Sequence, residues 1–68
     1  MAIAKHTELS CGSPESFDDA IKRGLDRASK TLKNIRGAWI KDQSVVIGDN
    51  GRISEFRVDL KVTFVLED

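Results

Sequence analysis

The chain has 68 residues, 40% of them hydrophobic, with 11 Lys and Arg against 11 Asp and Glu. A formal net charge of zero gives no general pull toward nucleic acid or an anionic membrane, and no apolar run nears the ~20 residues of a membrane helix. One Cys and one His exclude an internal disulfide and a structural zinc site, so a single domain over 1–68 is expected to complete itself by oligomerisation.

No signal-peptide core opens the chain, and the expected location is cytoplasmic. Ala2 to Ser10 predicts a first strand, with Ile3, Thr7 and Leu9 on one face and Ala4, His6 and Glu8 on the other. Cys11-Gly12-Ser13-Pro14 then reads as a turn and a helix start. Ser13 is placed to cap, Pro14 suits the first helical position, and Glu15, Asp18 and Asp19 complement the helix dipole.

From Pro14 to about Ile35, Phe17, Ile21, Leu25, Ala28, Leu32 and Ile35 recur at steps of three and four, one stripe of an amphipathic helix. Gly24 lies within it, where glycine suits close approach to a sheet or a neighbouring subunit. Gly37, following the basic Arg36, is the predicted stop.

A second strand is predicted from about Ala38 to Ile47. Ala38, Ile40 and Val46 fall on one side, with Trp39, Lys41, Gln43, Val45 and Ile47 on the other. Gly48-Asp49-Asn50-Gly51 is a hairpin turn, and Gly51 suits a left-handed position. A three-residue loop there sets Gln43 opposite Arg57, Lys41 opposite Asp59 and Trp39 opposite Lys61.

The third strand, Ile53 to Leu66, alternates almost without error. Phe56, Val58, Leu60, Val62, Phe64 and Leu66 face one way, and Glu55, Arg57, Asp59, Lys61 and Thr63 the other. The fold class is therefore α+β, in the order β-α-β-β. One helix covers one face of a three-stranded antiparallel sheet, and the longest, most apolar strand lies in the middle.

The opposite face is then bare and carries Trp39, Lys41, Gln43, Arg57, Asp59, Lys61 and Thr63. Trp39 is either a stacking surface for a ligand or a subunit-contact residue in cation–π contact with Lys61. Arg57 suits a phosphate or carboxylate, or an ion pair with Glu55 or Asp59. His6 reads as a surface histidine and Cys11 as a small, partly buried side chain. No catalytic residue stands out, since Ser29, Thr31, Ser44 and Ser54 have no nucleophile context, and the chain reads as a binding or assembly module rather than an enzyme. The oxygens of Asp42, Asp49 and Asn50 do not match the spacing of an EF-hand loop.

Several segments together resemble the dodecins: Glu8-Leu9 leading to Ser13-Pro14, Phe17-Asp18-Asp19-Ala20-Ile21, Arg27 through Arg36, Asp59 through Phe64, and the Leu66-Glu67-Asp68 ending. The resemblance implies a β-α-β-β subunit in a hollow homododecamer that binds flavins such as riboflavin or FMN. In that family the flavin stacks between tryptophans near two-fold axes, and a strand-three glutamine bonds its edge. This chain departs at both places. Gly37 stands at the stacking position and Arg57 at the glutamine position, while Trp39 lies two residues further along the same strand face.

The resulting ligand-contact candidates are Trp39, Arg57, Gly37, Gln43 and Lys41. The interface candidates are Trp39, Arg57, Asp59, Lys61, Val45 and Ile47. Two other readings of the same face stay open: a purely structural shell, and a shell carrying a coenzyme or a metal ion.

Overall fold

The computed structural model describes residues 3–66. Its elements are β1 (Ile3–Ser13), α1 (Phe17–Ala28), β2 (Ile35–Ile47) and β3 (Ile53–Leu66). Ala2, assigned to the first strand by its pattern, and the Glu67-Asp68 ending lie outside the described residues. The sheet order is β1-β3-β2, and both pairings are antiparallel. The third strand is central, as an antiparallel sheet requires once α1 returns the chain so that β1 and β2 run in the same direction.

That cover is α1, which packs on β1 and β3. Val58, Leu60 and Val62 are fully enclosed with Ala20 and Cys11, and Leu9, Phe17, Ile21, Leu25 and Ile35 close the rim. The Phe17 and Phe56 rings meet edge to face at 5.1 Å.

The helix is shorter at both ends than the expected span of Pro14 to about Ile35, running from Phe17 to Ala28. Ser16, not Ser13, is the N-cap, and its hydroxyl accepts from the Asp19 N–H. Ser13 is the last residue of β1, as suits the residue before a proline. Its hydroxyl accepts from the Glu15 N–H and donates to Asp19 Oδ2 at 2.5 Å.

At the other end α1 stops at Ala28. Ser29 donates its hydroxyl to the Asp26 carbonyl and Thr31 to that of Ala28, bonds that compete with helix continuation. Asn34 then takes a left-handed φ of 62°, and its carbonyl receives the Val65 N–H. Leu32 and Ile35 therefore lie outside the helix. Ile35 begins β2 and still reaches the core, and Gly37 is a strand residue rather than a helix stop.

The hairpin has the predicted left-handed Gly51, with φ 77°. Its register departs from the uniform ladder, because Arg36, Lys41 and Ser54 are each an extra residue. Trp39 faces Lys61 as predicted. Beyond the Lys41 bulge the pairing slips by one, so Gln43 faces Val58, Ser44 faces Arg57 and Val45 faces Phe56. Gln43 and Val45 thereby turn to the helix side and Val46 to the charged side. The expected pairs Gln43–Arg57 and Lys41–Asp59 do not form, and Asp59 instead faces Asp42.

Candidate functional site

The sheet face turned away from α1 is polar and open, and no enclosed cavity occurs among the described residues. It is built from alternate residues of three strands. His6, Glu8 and Ser10 of β1 stand beside Thr63, Lys61 and Asp59 of β3, and these beside Gly37, Trp39 and Asp42 of β2.

Trp39 is 60% exposed. Its ring centroid is 5.8 Å from that of His6, the planes tilted by 42°, and Lys61 Nζ sits 5.7 Å from it. His6 lies on the far edge strand, so the indole spans β3. Gly37 supplies no side chain next to it, and a Cβ built there would meet nothing within 4 Å. The result is an aromatic platform beside a clear patch of backbone.

Polar side chains frame the platform. His6 Nδ1 shares a 3.1 Å hydrogen bond with Thr63 Oγ1. Lys41 Nζ reaches across β3 to Glu8 Oε1 at 2.8 Å. The hydrogen bond and charge of Lys41 hold the Glu8 carboxyl below the usual carboxylate range, and Glu8 in turn raises Lys41, so both stay ionised. The Ser10 hydroxyl donates to Asp59 at 2.7 Å.

Two predicted contacts are elsewhere. Arg57 lies four residues along β3 from Lys61, about 13 Å at the usual strand rise. It donates to Glu55 Oε1 at 2.6 Å, the ion-pair alternative, beside Gly12, where a Cβ would press on the Glu55 carboxylate at 2.9 Å. Gln43 is on the other face. The chain therefore gathers Trp39, Lys61, Gly37 and Lys41 and leaves Arg57 and Gln43 apart from them. Asp59 is on the same face, Val45 is on the helix side, and Ile47 is near the hairpin tip.

Sequence reasoning placed Thr63 on the Trp39 face but missed that His6 and Glu8 of β1 share it. The β1–β3 register was the signal that holds them, since it sets His6 opposite Thr63 and Glu8 opposite Lys61. Cys11 is buried more fully than expected, and that burial raises its thiol pKa. No helix is long and apolar enough to cross a membrane, and no group of three metal-binding side chains gathers, among the described residues.

Comparison with known proteins places this geometry. The family model described as Dodecin matches residues 3–67. A dodecin of Thermus thermophilus is 36% identical over 66 residues, spanning 97% of this chain and 94% of the relative. A crystal structure of a point mutant of the T. thermophilus dodecin covers 100% of both chains at 35% identity and TM-score 0.92. The dodecin from Streptomyces davaonensis gives TM-score 0.93 at 33% identity, over 98% of this chain and 97% of that one. The calcium-chelating antigen calcium dodecin of Mycobacterium tuberculosis, described with a novel calcium-binding site, gives 0.84 at 26%, over 96% and 91%. Sharing its β-α-β-β order and almost its whole length with these proteins, the chain belongs to the Dodecin family.

Proposed function

We propose that this chain is a non-enzymatic small-ligand-binding protein that works as a homododecamer, and that Trp39 is its stacking surface for a planar ring, flavin (riboflavin or FMN) being the first candidate. The observation that carries this reading is Trp39 itself, 60% exposed on an otherwise charged face and bordered by clear space over Gly37. An indole left in water in this way offers a π-face worth about 1 kcal/mol per stacked ring beyond area burial.

The residues present fit a flavin in part. Trp39 takes the ring face, while His6, Thr63 and Lys61 supply donors and acceptors along an edge. The open sheet cannot enclose a ligand within one subunit, so a symmetry-related face is needed to complete the site. Arg57 then belongs to the subunit contact or to a ligand reaching along the sheet from the partner. The working location is the cytoplasm.

Titration with riboflavin and FMN tests this by following quenching of the single Trp and of the flavin. Saturable quenching at micromolar flavin, lost or weakened about tenfold or more in Trp39→Ala, is the expected result. An assembled protein that quenches neither chromophore overturns ligand stacking and leaves Trp39 as a subunit contact. Mass spectrometry of molecules released from the native assembly then identifies any other cargo.

A further inference from the structure

The cations of the open sheet face differ in one respect. Lys41 Nζ pairs with Glu8 Oε1 at 2.8 Å, and Arg57 Nη1 with Glu55 Oε1 at 2.6 Å. Lys61 has no carboxylate within ion-pair distance among the described residues. Glu8 stands directly opposite it in the β1–β3 register, yet gives its carboxylate to Lys41 from the far side of β3. Asp59, two residues along β3, accepts from the Ser10 hydroxyl at 2.7 Å and faces Asp42 on the hairpin side. Lys61 is therefore a half-buried ammonium on the central strand without a counter-ion of its own among these groups. A partly desolvated charge of this kind favours an anion that can reach it.

Its position relative to Trp39 says where that anion would be carried. Lys61 Nζ is 5.7 Å from the Trp39 ring centroid. Stacked rings put their centroids about 4.5–7 Å apart. A ligand ring on Trp39 thus sits at the same distance from the indole as this cation, and a charged group on the ring's own edge comes within ion-pair reach. Clear space fixes the side. Gly37 faces Thr63, on the far side of the Trp39–Lys61 pair from Asp59, and a Cβ there would meet nothing within 4 Å. A ring over Gly37 has Lys61 between it and the Asp42 and Asp59 carboxylates, which would otherwise repel an anion.

We propose that Lys61 selects the ligand of the Trp39 platform, favouring a planar ring with an anionic group directly on its edge, such as an aromatic carboxylate, over a neutral ring of the same shape. This rests on the stacking role of Trp39 proposed above and adds the charge that the preferred ring bears. A neutral flavin ring takes the stacking without this contact.

The test is calorimetric titration of the full-length native protein with naphthoate and with naphthamide, its neutral counterpart. Naphthoate is expected to bind about fivefold or more tighter, by a margin that shrinks at high salt. Lys61→Gln, and Lys61→Met with its apolar stem retained, should each bring naphthoate down to the affinity of naphthamide and leave naphthamide unchanged. Lys61→Arg should keep the preference, and Trp39→Ala should weaken both probes. Far-UV circular dichroism and sedimentation confirm that each variant keeps the wild-type fold and particle size. Equal affinities in the wild type, or a preference that survives in a folded Lys61→Gln or Lys61→Met, overturn the proposal. Flavin binding without a naphthoate preference sinks only the selection by Lys61, whereas a wild-type protein that binds neither probe nor flavin sinks stacking at Trp39 as well.

Discussion

A Cβ built on Gly24 would lie 2.0 Å from Cys11 Sγ, and this one contact explains why a glycine sits mid-helix. Alanine there would gain about 1 kcal/mol of helix propensity but would force α1 off β1. Gly24→Ala is expected to lower stability by about 1–3 kcal/mol in chemical denaturation, and Cys11→Ala in the same chain should restore most of it. Additive losses in the double variant would place the cause elsewhere. Ser16 offers a second test. Ser16→Ala should remove about 1 kcal/mol by orphaning the Asp19 N–H.

The Glu8–Lys41 pair sets a pH dependence at the same scale. The folded Glu8 carboxyl is held below its unfolded value, so its contribution is full above about pH 4–5, the ordinary carboxylate range, and fades as pH falls through the lower folded value. Lys41 is raised, so its contribution holds below the unfolded lysine range and is lost as pH rises through the higher folded value. Thermal melts of Glu8→Gln and wild type should therefore differ at neutral pH and converge in acid. Equal gaps at every pH would deny the pair a role.

Among the elements, β3 was legible apart from the Ser54 bulge, because near-regular alternation over Ile53–Leu66 reports a strand with one buried face wherever its neighbours lie. The helix was legible in place but not in length. Leu32 and Ile35 continue the stripe, yet both lie beyond the helix end and Ile35 enters the same core from β2, a route that periodicity cannot tell from a longer helix. The second strand was misread beyond Lys41, because one unpaired residue inverts every side chain after it. That is why Gln43 and Val45 were assigned to the wrong face while Trp39, before the bulge, was not. At the turn, Gly51 with φ 77° predicts that Gly51→Ala lowers stability by about 1 kcal/mol in the same denaturation assay.

As a whole molecule the subunit is not a globule. Its Cα radius of gyration is 14.0 Å, against about 11 Å for a compact chain of this length. All of β2 beyond Ile35 is exposed, including Trp39 and Ile40. On the self-association proposed above, stability depends on protomer concentration. The melting temperature should therefore rise with total protein over a hundredfold range, and one independent of concentration would mean that the open surface is not shared.

The residue pattern alone determined the element order, the central place of β3 and which of its faces is oily, because side-chain period follows from local backbone geometry. It also placed Trp39 opposite Lys61. Tertiary structure alone decided that His6 and Glu8 meet this site, and that Arg57 and Gln43 do not. Those outcomes depend on strand register and on single-residue bulges, which are set by packing between segments far apart in the chain and leave no mark in local composition.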